Sequence, residues 1–245
     1  MQRRTGVKAL IILFWLVLWQ AVSIAVDNSI LLAGPVEAVM ALIHLAATAG
    51  FWLSVLTSVL MICSGFFIGL FTGVLLAGCS YRYRIIREFI KPPVTVIKSI
   101  PVASFVILVI IWAGSGSLSL VISSLVVFPT VFLNTLAGLD STSVKLIETG
   151  RMFRFRTRDK IRHIYLPSCA PHIESAVCLG TGMAFKSGIA AEVIGRPLRS
   201  IGTGIYLSKI SLATADLFAW TFCAVVLAFL FEKLITRLMK RILKP

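Results

Sequence analysis

Two long stretches of this chain carry no charged residue, and they constrain its fold more than any other feature. The first runs from residue 45 to 81 and the second from residue 99 to 139. About 20 consecutive apolar residues are enough for a helix to cross a bilayer. Charged residues make up only 14% of the chain, whereas soluble proteins have about a quarter. The sequence therefore predicts an integral membrane protein.

The N-terminal half contains four predicted spans. The first covers residues 9–26, where Trp15, Trp19 and the lack of a small-residue cleavage site favour a retained helix over a signal peptide. The second covers residues 52–77. The run 99–139 is too long for one crossing, and its glycine-rich break at residues 113–117 divides it into a third and a fourth span.

Two more spans are predicted in the C-terminal half. The fifth, about residues 171–193, is less apolar because Glu174 lies near its start and Lys186 lies inside it. The sixth covers about residues 217–238 and ends among basic residues. We therefore expect an all-α, polytopic protein of six transmembrane helices, in which every backbone polar group is satisfied within its own helix.

The distribution of basic residues predicts the orientation. With the N-terminus in the cytosol, 20 of the 24 lysines and arginines lie on the cytosolic side, as the positive-inside rule requires. Lys186 lies within a span, and only Arg196, Arg199 and Lys209 lie outside. Both termini are thus predicted to be cytosolic, and the net charge of +14 is attributed to these flanks rather than to nucleic-acid binding.

Nothing in the sequence suggests an enzyme or a metal site. No Gly-x4-Gly-Lys-Ser/Thr phosphate loop occurs, and the three histidines are not grouped as metal ligands. The five cysteines lack the close pairing of a zinc site and are interpreted as small buried apolar residues. We expect no catalytic residue, no metal and no cofactor in this chain.

The most basic loop covers residues 145–171. Its apolar residues, among them Met152, Phe153 and Phe155, are interleaved with seven lysines and arginines. A short amphipathic helix of this kind suits a groove on a partner protein or the inner membrane surface. A purely topogenic charge cluster explains the pattern equally well, and periodicity alone does not decide between them.

A series of motifs decides in favour of a protein partner. A glutamate and two small residues, Glu148-Thr149-Gly150, precede a basic and aromatic stretch and then Leu166-Pro167 and Pro171. The other motifs are Lys98-Ser99-Ile100-Pro101, Trp112-Ala113-Gly114, Phe128-Pro129, Asn134-Thr135-Leu136-Ala137-Gly138-Leu139 and Ala190-Ala191-Glu192-Val193. The first set resembles the EAA signature, and the whole series in order resembles the permease subunits of bacterial binding-protein-dependent ABC importers, specifically the nitrate/sulfonate/taurine branch, over about residues 48–240.

The resemblance implies that residues 143–163 form the coupling segment, which sits in a cleft of a cytosolic ATPase subunit. One position departs from the family, because the glycine expected six residues after the glutamate is Arg154 here, which leaves the angle of the segment open. An ion pair of Glu148 with Arg151 or Arg154 is the alternative role for that carboxylate. The expected coupling residues are Glu148, Thr149, Gly150, Met152, Phe153, Arg154, Phe155 and Pro167.

Lys186 and Glu192 are the expected residues of the translocation path. An ionisable residue inside a span is costly unless it faces a cavity or a partner, so Lys186 is predicted to line a path between two permease copies and to favour an anionic or polar solute. Snorkelling of Lys186 to the outer interface is the alternative. Small residues around it, such as Gly182, Gly188 and Ala190, suit a packed dimer seam or a narrow path.

Residues 195–212 form the longest polar loop predicted outside the membrane. By resemblance, such a region helps receive the substrate-binding protein, and Arg196, Arg199 and Lys209 are the expected docking residues. A solvated loop that only connects two helices is the alternative.

The resemblance further implies a type I importer in which this chain is one transmembrane domain, residues 1–245. Residues 1–45 provide an N-terminal helix and an external connection, and residues 46–240 the permease core. The implied partners are a second permease copy, two ATPase subunits that hold ATP and Mg, an external binding protein and the bilayer of the bacterial inner membrane.

Two other function classes remain for this chain. An ion-coupled secondary transporter or channel is disfavoured because the inverted repeats and broken helices of such carriers are missing. The second is a membrane scaffold that transports nothing. For an importer of this branch, nitrate, alkanesulfonates, taurine, bicarbonate and pyrimidine precursors of thiamine are all compatible solutes.

Overall fold

The computed structural model describes residues 2–242, and within this range the chain is helical with no strand. Side chains at residues 2–6, 8, 9, 240 and 242 are not described, so the predicted flanking cations Arg3, Arg4, Lys8, Lys240 and Lys244 lie outside the described side chains. The helices are α1 Gln2–Val26, α2 Pro35–Ala46, α3 Ala49–Arg82, α4 Arg84–Ser99, α5 Val102–Ala113, α6 Leu118–Asp140, α7 Val144–Met152, α8 Thr157–Lys160, α9 Leu166–Gly195, α10 Ile201–Ile210 and α11 Thr214–Ile242, with a π turn at Ile161–Tyr165 before α9.

Within residues 2–242, four helical segments are long and apolar enough to cross a membrane. They are α3, α6, the continuous stretch Thr157–Gly195 that includes α9, and residues Thr214–Met239 of α11. These correspond to the second, fourth, fifth and sixth predicted spans. Residues Leu10–Val26 of α1 form a shorter apolar helix. The six-span count and the cytosolic termini stay predictions.

The third predicted span, which begins at residue 99, corresponds to α5 and is joined to α4 by a sharp bend. Helices α4 and α5 meet the length and hydropathy requirement only together, and their axes differ by 105°. The chain turns at Ile100 and Pro101, whose backbones are extended with ψ of 134° and 133°. The α-helical conformation is unfavourable for a residue that precedes proline, so α4 ends before Ile100. Helix α5 alone has 12 residues, about 18 Å at 1.5 Å per residue, which is shorter than the hydrocarbon core.

The centre of the bundle is formed by α3, α6 and α9. Gly65, Gly69 and Gly73 recur every fourth residue on the face of α3 that meets α6. A Cβ at Gly69 would lie 2.8 Å from the carbonyl oxygen of Ser124, and one at Gly65 would clash with the carbonyl oxygen of Leu120. Glycines at this spacing let two helix backbones approach closely in a membrane.

The same three helices enclose the main apolar cluster. Ile62 and Phe66 of α3, Val127 of α6 and Phe185 of α9 are fully buried there. Helix α11 covers this cluster through Phe231, whose ring lies 5.4 Å from those of Phe66 and Phe185. The central block is therefore packed within a single chain.

Helix α10, residues 201–210, lies within the predicted outer loop 195–212, where the sequence analysis predicted no helix. Ser200 begins the helix, because its hydroxyl accepts a hydrogen bond from the Thr203 amide at 3.1 Å. Ile201 is buried against α3 and α11, and a Cβ at Gly204 would lie 2.5 Å from the Trp220 ring. The segment is helical because it is capped and has an apolar face to bury.

Candidate functional site

The expected coupling segment forms a helix–turn–helix at one end of the bundle. Helix α7 follows α6 after a short link and ends at Met152, and α8 begins at Thr157. The π turn then joins α8 to α9, with the Leu166 amide donating to the Ile161 carbonyl. Pro167 has no amide hydrogen to continue the ordinary helical ladder, so this proline lies where the register changes. The segment thus connects α6 directly to α9.

Arg154 takes the conformation that a glycine would favour. Its φ of +51° is in the left-handed region, which is uncommon for a residue with a side chain. The turn around it is closed by two backbone hydrogen bonds of 3.0 Å, from the Arg154 amide to the Arg151 carbonyl and from the Phe155 amide to the Gly150 carbonyl. The sequence left open how α7 and α8 are joined. The structure shows a tight turn between them, although an arginine takes the place of the expected glycine.

The turn exposes two apolar side chains. Met152 is 82% and Phe153 70% exposed, and the Phe155 ring lies 6.4 Å from that of Phe153. Glu148 and Thr149 are also exposed on α7, and Glu148 makes no ion pair with any residue in the described part of the chain. Exposed apolar groups surrounded by arginines form a surface suited to a partner with an apolar, acid-fringed cleft.

Gly150 anchors the segment to the bundle. It is buried, and a Cβ there would lie 2.6 Å from Cδ1 of Ile164 in the π turn. A mostly apolar cavity of about 420 Å³ lies between α8, the π turn and the start of α9 on one side and α3 and α6 on the other. The segment is thus fixed at one point and has space beside it.

Glu192 is fully enclosed at the other end of α9, where it is 1% exposed. Its carboxylate accepts hydrogen bonds from the hydroxyls of Ser119 at 2.7 Å and Ser58 at 2.8 Å, and from the Gly202 amide at 3.0 Å. Ser58 in turn accepts from the Ile201 amide at 2.9 Å. We call these five residues the Glu192 network. It joins α3, α6, α9 and α10.

The structure does not bring Lys186 and Glu192 together. They are six residues apart, which turns their side chains to different sides of a helix at about 100° per residue. Lys186 is exposed between Gly182 and Ala190, both also exposed. A path role for Glu192 would require the surrounding helices to separate, and both path assignments stay predictions.

The small residues near Lys186 divide into two faces. Gly180, Ala184, Gly188 and Ala191 are buried within the chain, and a Cβ at Gly188 would lie 2.7 Å from Ile62. A Cβ at Gly182 would meet no atom of the described residues within 4 Å. The first set therefore packs α9 inside the bundle, and only the second is open to a path or a second copy.

The three expected docking cations surround α10 on the surface. Arg196 and Arg199 lie in the link before it with φ of +49° and +55°, and Lys209 lies in its last turn. The Arg196 guanidinium lies over the Tyr206 ring at 4.7 Å and donates to its hydroxyl at 3.1 Å. All three are exposed, and their docking role stays a prediction.

Sequence reasoning missed Ser58, Ser119 and the glycine series of α3. The glycines have a readable signal, a Gly-x-x-x-Gly repeat in an apolar run. The serines have none, because they lie 134 and 73 residues from Glu192 in sequence.

This chain is similar to membrane subunits of transport systems. Residues 65–245 match the family model described as binding-protein-dependent transport system inner membrane component. The aliphatic sulfonates transport permease protein of Bacillus subtilis is 26% identical over 183 residues, which cover 73% of this chain and 65% of that protein. The taurine transport system permease protein of Escherichia coli is 22% identical over 243 residues, 97% and 87% of the two chains. The nitrate import permease protein of Synechococcus elongatus is 22% identical over 146 residues, 59% and 52%.

Proposed function

Because this chain belongs to the family of binding-protein-dependent transport system inner membrane components, we propose that it forms the translocation path for a small anionic or polar solute. Permeases of this family are multi-pass inner-membrane proteins of ABC importers with the type I fold, and they work with ATPase subunits and a substrate-binding protein. The proposed solutes are sulfonates, taurine and nitrate, since relatives with those names share up to 26% of aligned residues.

The observation that supports ATP coupling is the exposed pair Met152 and Phe153 on the tight turn at Arg154. In our proposal the pair inserts into the cleft of an ATPase subunit, which holds ATP and Mg. Closure of two ATPases then moves the cleft, and the anchored segment transmits this motion to α6 and α9, to which it is directly joined. The permease would face outward on closure, accept solute from the binding protein and face inward after hydrolysis.

The test is the double variant Met152→Ala/Phe153→Ala. Truncating two central apolar anchors of an interface typically costs about 2–4 kcal/mol, so ATPase association should weaken roughly 30-fold or more. Co-purification of the ATPase subunits and solute-stimulated ATP hydrolysis are the measurements. Phe89→Ala is the matched control, because Phe89 is equally exposed but lies on α4. Wild-type coupling in the double variant would refute this role of the segment.

We further propose that two copies of this chain meet along the open face of α9, with Lys186 lining the path between them. The exposed small residues Gly182 and Ala190 on either side of it support close approach. Lys186→Ala and Lys186→Gln should raise KM for an anionic solute while the complex still assembles. Unchanged uptake kinetics in both variants would exclude Lys186 from the path.

Docking of the binding protein is proposed for the face formed by Arg196, Arg199 and Lys209. Exposed cations steer acidic partners at low ionic strength, so Arg199→Glu should reduce stimulation of ATP hydrolysis by the binding protein in low salt. Equal stimulation of the variant and the wild type would place docking elsewhere. An ion-coupled carrier, by contrast, would continue uptake without ATP.

A further inference from the structure

Helix α4 is amphipathic. Ile85 and Phe89 are 85% and 81% exposed, and Val96 is exposed on the same stripe. The opposite stripe, at successive spacings of four, three and four residues, consists of Arg87, Lys91, Val94 and Lys98. Val94 is buried against α3 and α6, Arg87 is half-buried, and Lys91 and Lys98 are exposed. The two lysines therefore flank the contact between α4 and the bundle and stay accessible.

This stripe borders a cavity between α4 and α6. The cavity has a volume of about 500 Å³ and lies at the same end of the bundle as the coupling segment. Its α4 side is formed by Arg87, Lys91, Val94, Thr95, Lys98 and Ser99. Its α6 side is apolar and is formed by Phe132, Leu133 and Leu136.

The positive charge of the cavity is only partly compensated. Arg87 forms a two-point ion pair with Asp140 at the end of α6, at 2.8 and 3.1 Å. Lys91 and Lys98 have no acidic partner among the residues that the structure describes. The hydroxyls of Thr95 and Ser99 donate to carbonyl oxygens of their own helix. The two ammonium groups are therefore the donors available to a ligand.

Charge and shape together specify a ligand class. Two lysines seven residues apart are separated by about 10 Å along the helix axis, and their long flexible stems allow both to reach a group between them. An oxyanion satisfies these donors, and an apolar tail covers Phe132 and Leu133. A cavity of this size matches an organic ligand rather than a single small inorganic ion.

We propose that the α4–α6 cavity binds an organic anion with one sulfonate-like or phosphate-like head and a short apolar tail. Two sources share this chemistry, a transported alkanesulfonate on its way out of the path and the headgroup of an anionic lipid. The first source rests on the proposed function, and the second does not.

The experiment uses the permease complex purified from membranes and placed in lipid nanodiscs. In zwitterionic phosphatidylcholine, calorimetry measures binding of hexanesulfonate. In discs that also contain phosphatidylglycerol, native mass spectrometry measures how many anionic lipids the complex retains. We expect Lys91→Gln/Lys98→Gln to weaken one of these two interactions by about tenfold or more, since charge-assisted hydrogen bonds are lost.

Three control variants separate the site from general effects. Lys91→Arg/Lys98→Arg keeps the charge and should retain binding, whereas Leu133→Trp fills the cavity without changing charge and should abolish it. Arg84→Gln removes a cation of α4 that does not line the cavity and should have no effect.

The outcomes distinguish the sources and the two proposals. Lysine-dependent hexanesulfonate binding identifies the solute, and lysine-dependent lipid retention identifies the headgroup. If neither probe responds to the lysine variants, the inference is overturned. ATP-driven uptake without lysine-dependent binding refutes the inference alone, and lysine-dependent binding with ATP-independent uptake refutes the proposed function alone.

Discussion

Arg154 occupies a backbone position that most side chains avoid. Arg154→Gly should therefore leave coupling unchanged, because glycine adopts a φ of +51° without steric cost. Arg154→Val should destabilise the turn by about 1–2 kcal/mol, because a β-branched residue fits the left-handed region poorly. Solute-stimulated ATP hydrolysis checks both variants. Arg151→Val is the control, since Arg151 is an exposed helical residue one turn earlier.

Substitution of Glu192 should leave its three hydrogen-bond donors unpaired. Glu192→Ala leaves the hydroxyls of Ser58 and Ser119 and the Gly202 amide without their acceptor, and should cost about 1–3 kcal/mol for each donor that finds no new partner. Glu192→Gln keeps one acceptor oxygen and should lose less. Thermal unfolding in detergent measures the difference. Ser124→Ala is the control, because this hydroxyl bonds only the Val121 carbonyl of its own helix. Equal melting temperatures for all variants would contradict the role of the network.

Arg154 and Glu192 show which features of a single residue can be predicted from the sequence. The departure at Arg154 was visible by comparison with the family signature, but its conformation was not, because arginine adopts the left-handed region only when surrounding contacts hold it there. Glu192 was visible as part of the family motif Ala190-Ala191-Glu192-Val193. Its burial was not, because its hydroxyl donors come from α3 and α6, far away in sequence.

The close packing of α3 against α6 requires glycines, which have no side chain, at the contact. Gly69→Ala should destabilise the protein by about 1–3 kcal/mol, because overpacking moves backbone against backbone. Gly78→Ala in the same helix has free space and should instead stabilise by about 1 kcal/mol, the helix-propensity gain. Opposite shifts in melting temperature are the expected result. A destabilised Gly78→Ala would show that the spacing between α3 and α6 is not the cause.

Helices were predictable from the sequence where a long apolar run determined them. The apolar runs that became α3, α6 and α11 are long, so their spans were identified within a few residues of the observed ends. The third predicted span starts at residue 99, next to the bend at Ile100 and Pro101, but helix α4 before the bend was missed because its basic residues and two prolines are typical of a loop. Helix α10 was missed because its charged neighbours Arg196 and Arg199 concealed an apolar face that only packing against Trp220 reveals.

For the whole molecule, the open face of α9 predicts contact with a second copy. In a variant with the native cysteines replaced by alanine, Gly182→Cys or Ala190→Cys should give cross-linked dimers with a short bismaleimide. Gly78→Cys, on α3, should not, although Gly78 is also exposed. Denaturing gel electrophoresis separates the species. Monomers at all three positions would argue against a seam along this face.

The Glu192 network also has a consequence for how the chain is synthesised. Ser58 and Ser119 leave the ribosome long before the carboxylate, and the Gly202 amide follows it by only ten residues. The network can therefore be completed only late in synthesis, after residue 202 has been added. A chain that stops before residue 202 leaves the carboxyl group of Glu192 without one of its hydrogen-bond donors, which is costly inside the bilayer. We therefore expect truncated chains to be recognisable to membrane proteases by this incompletely paired carboxylate.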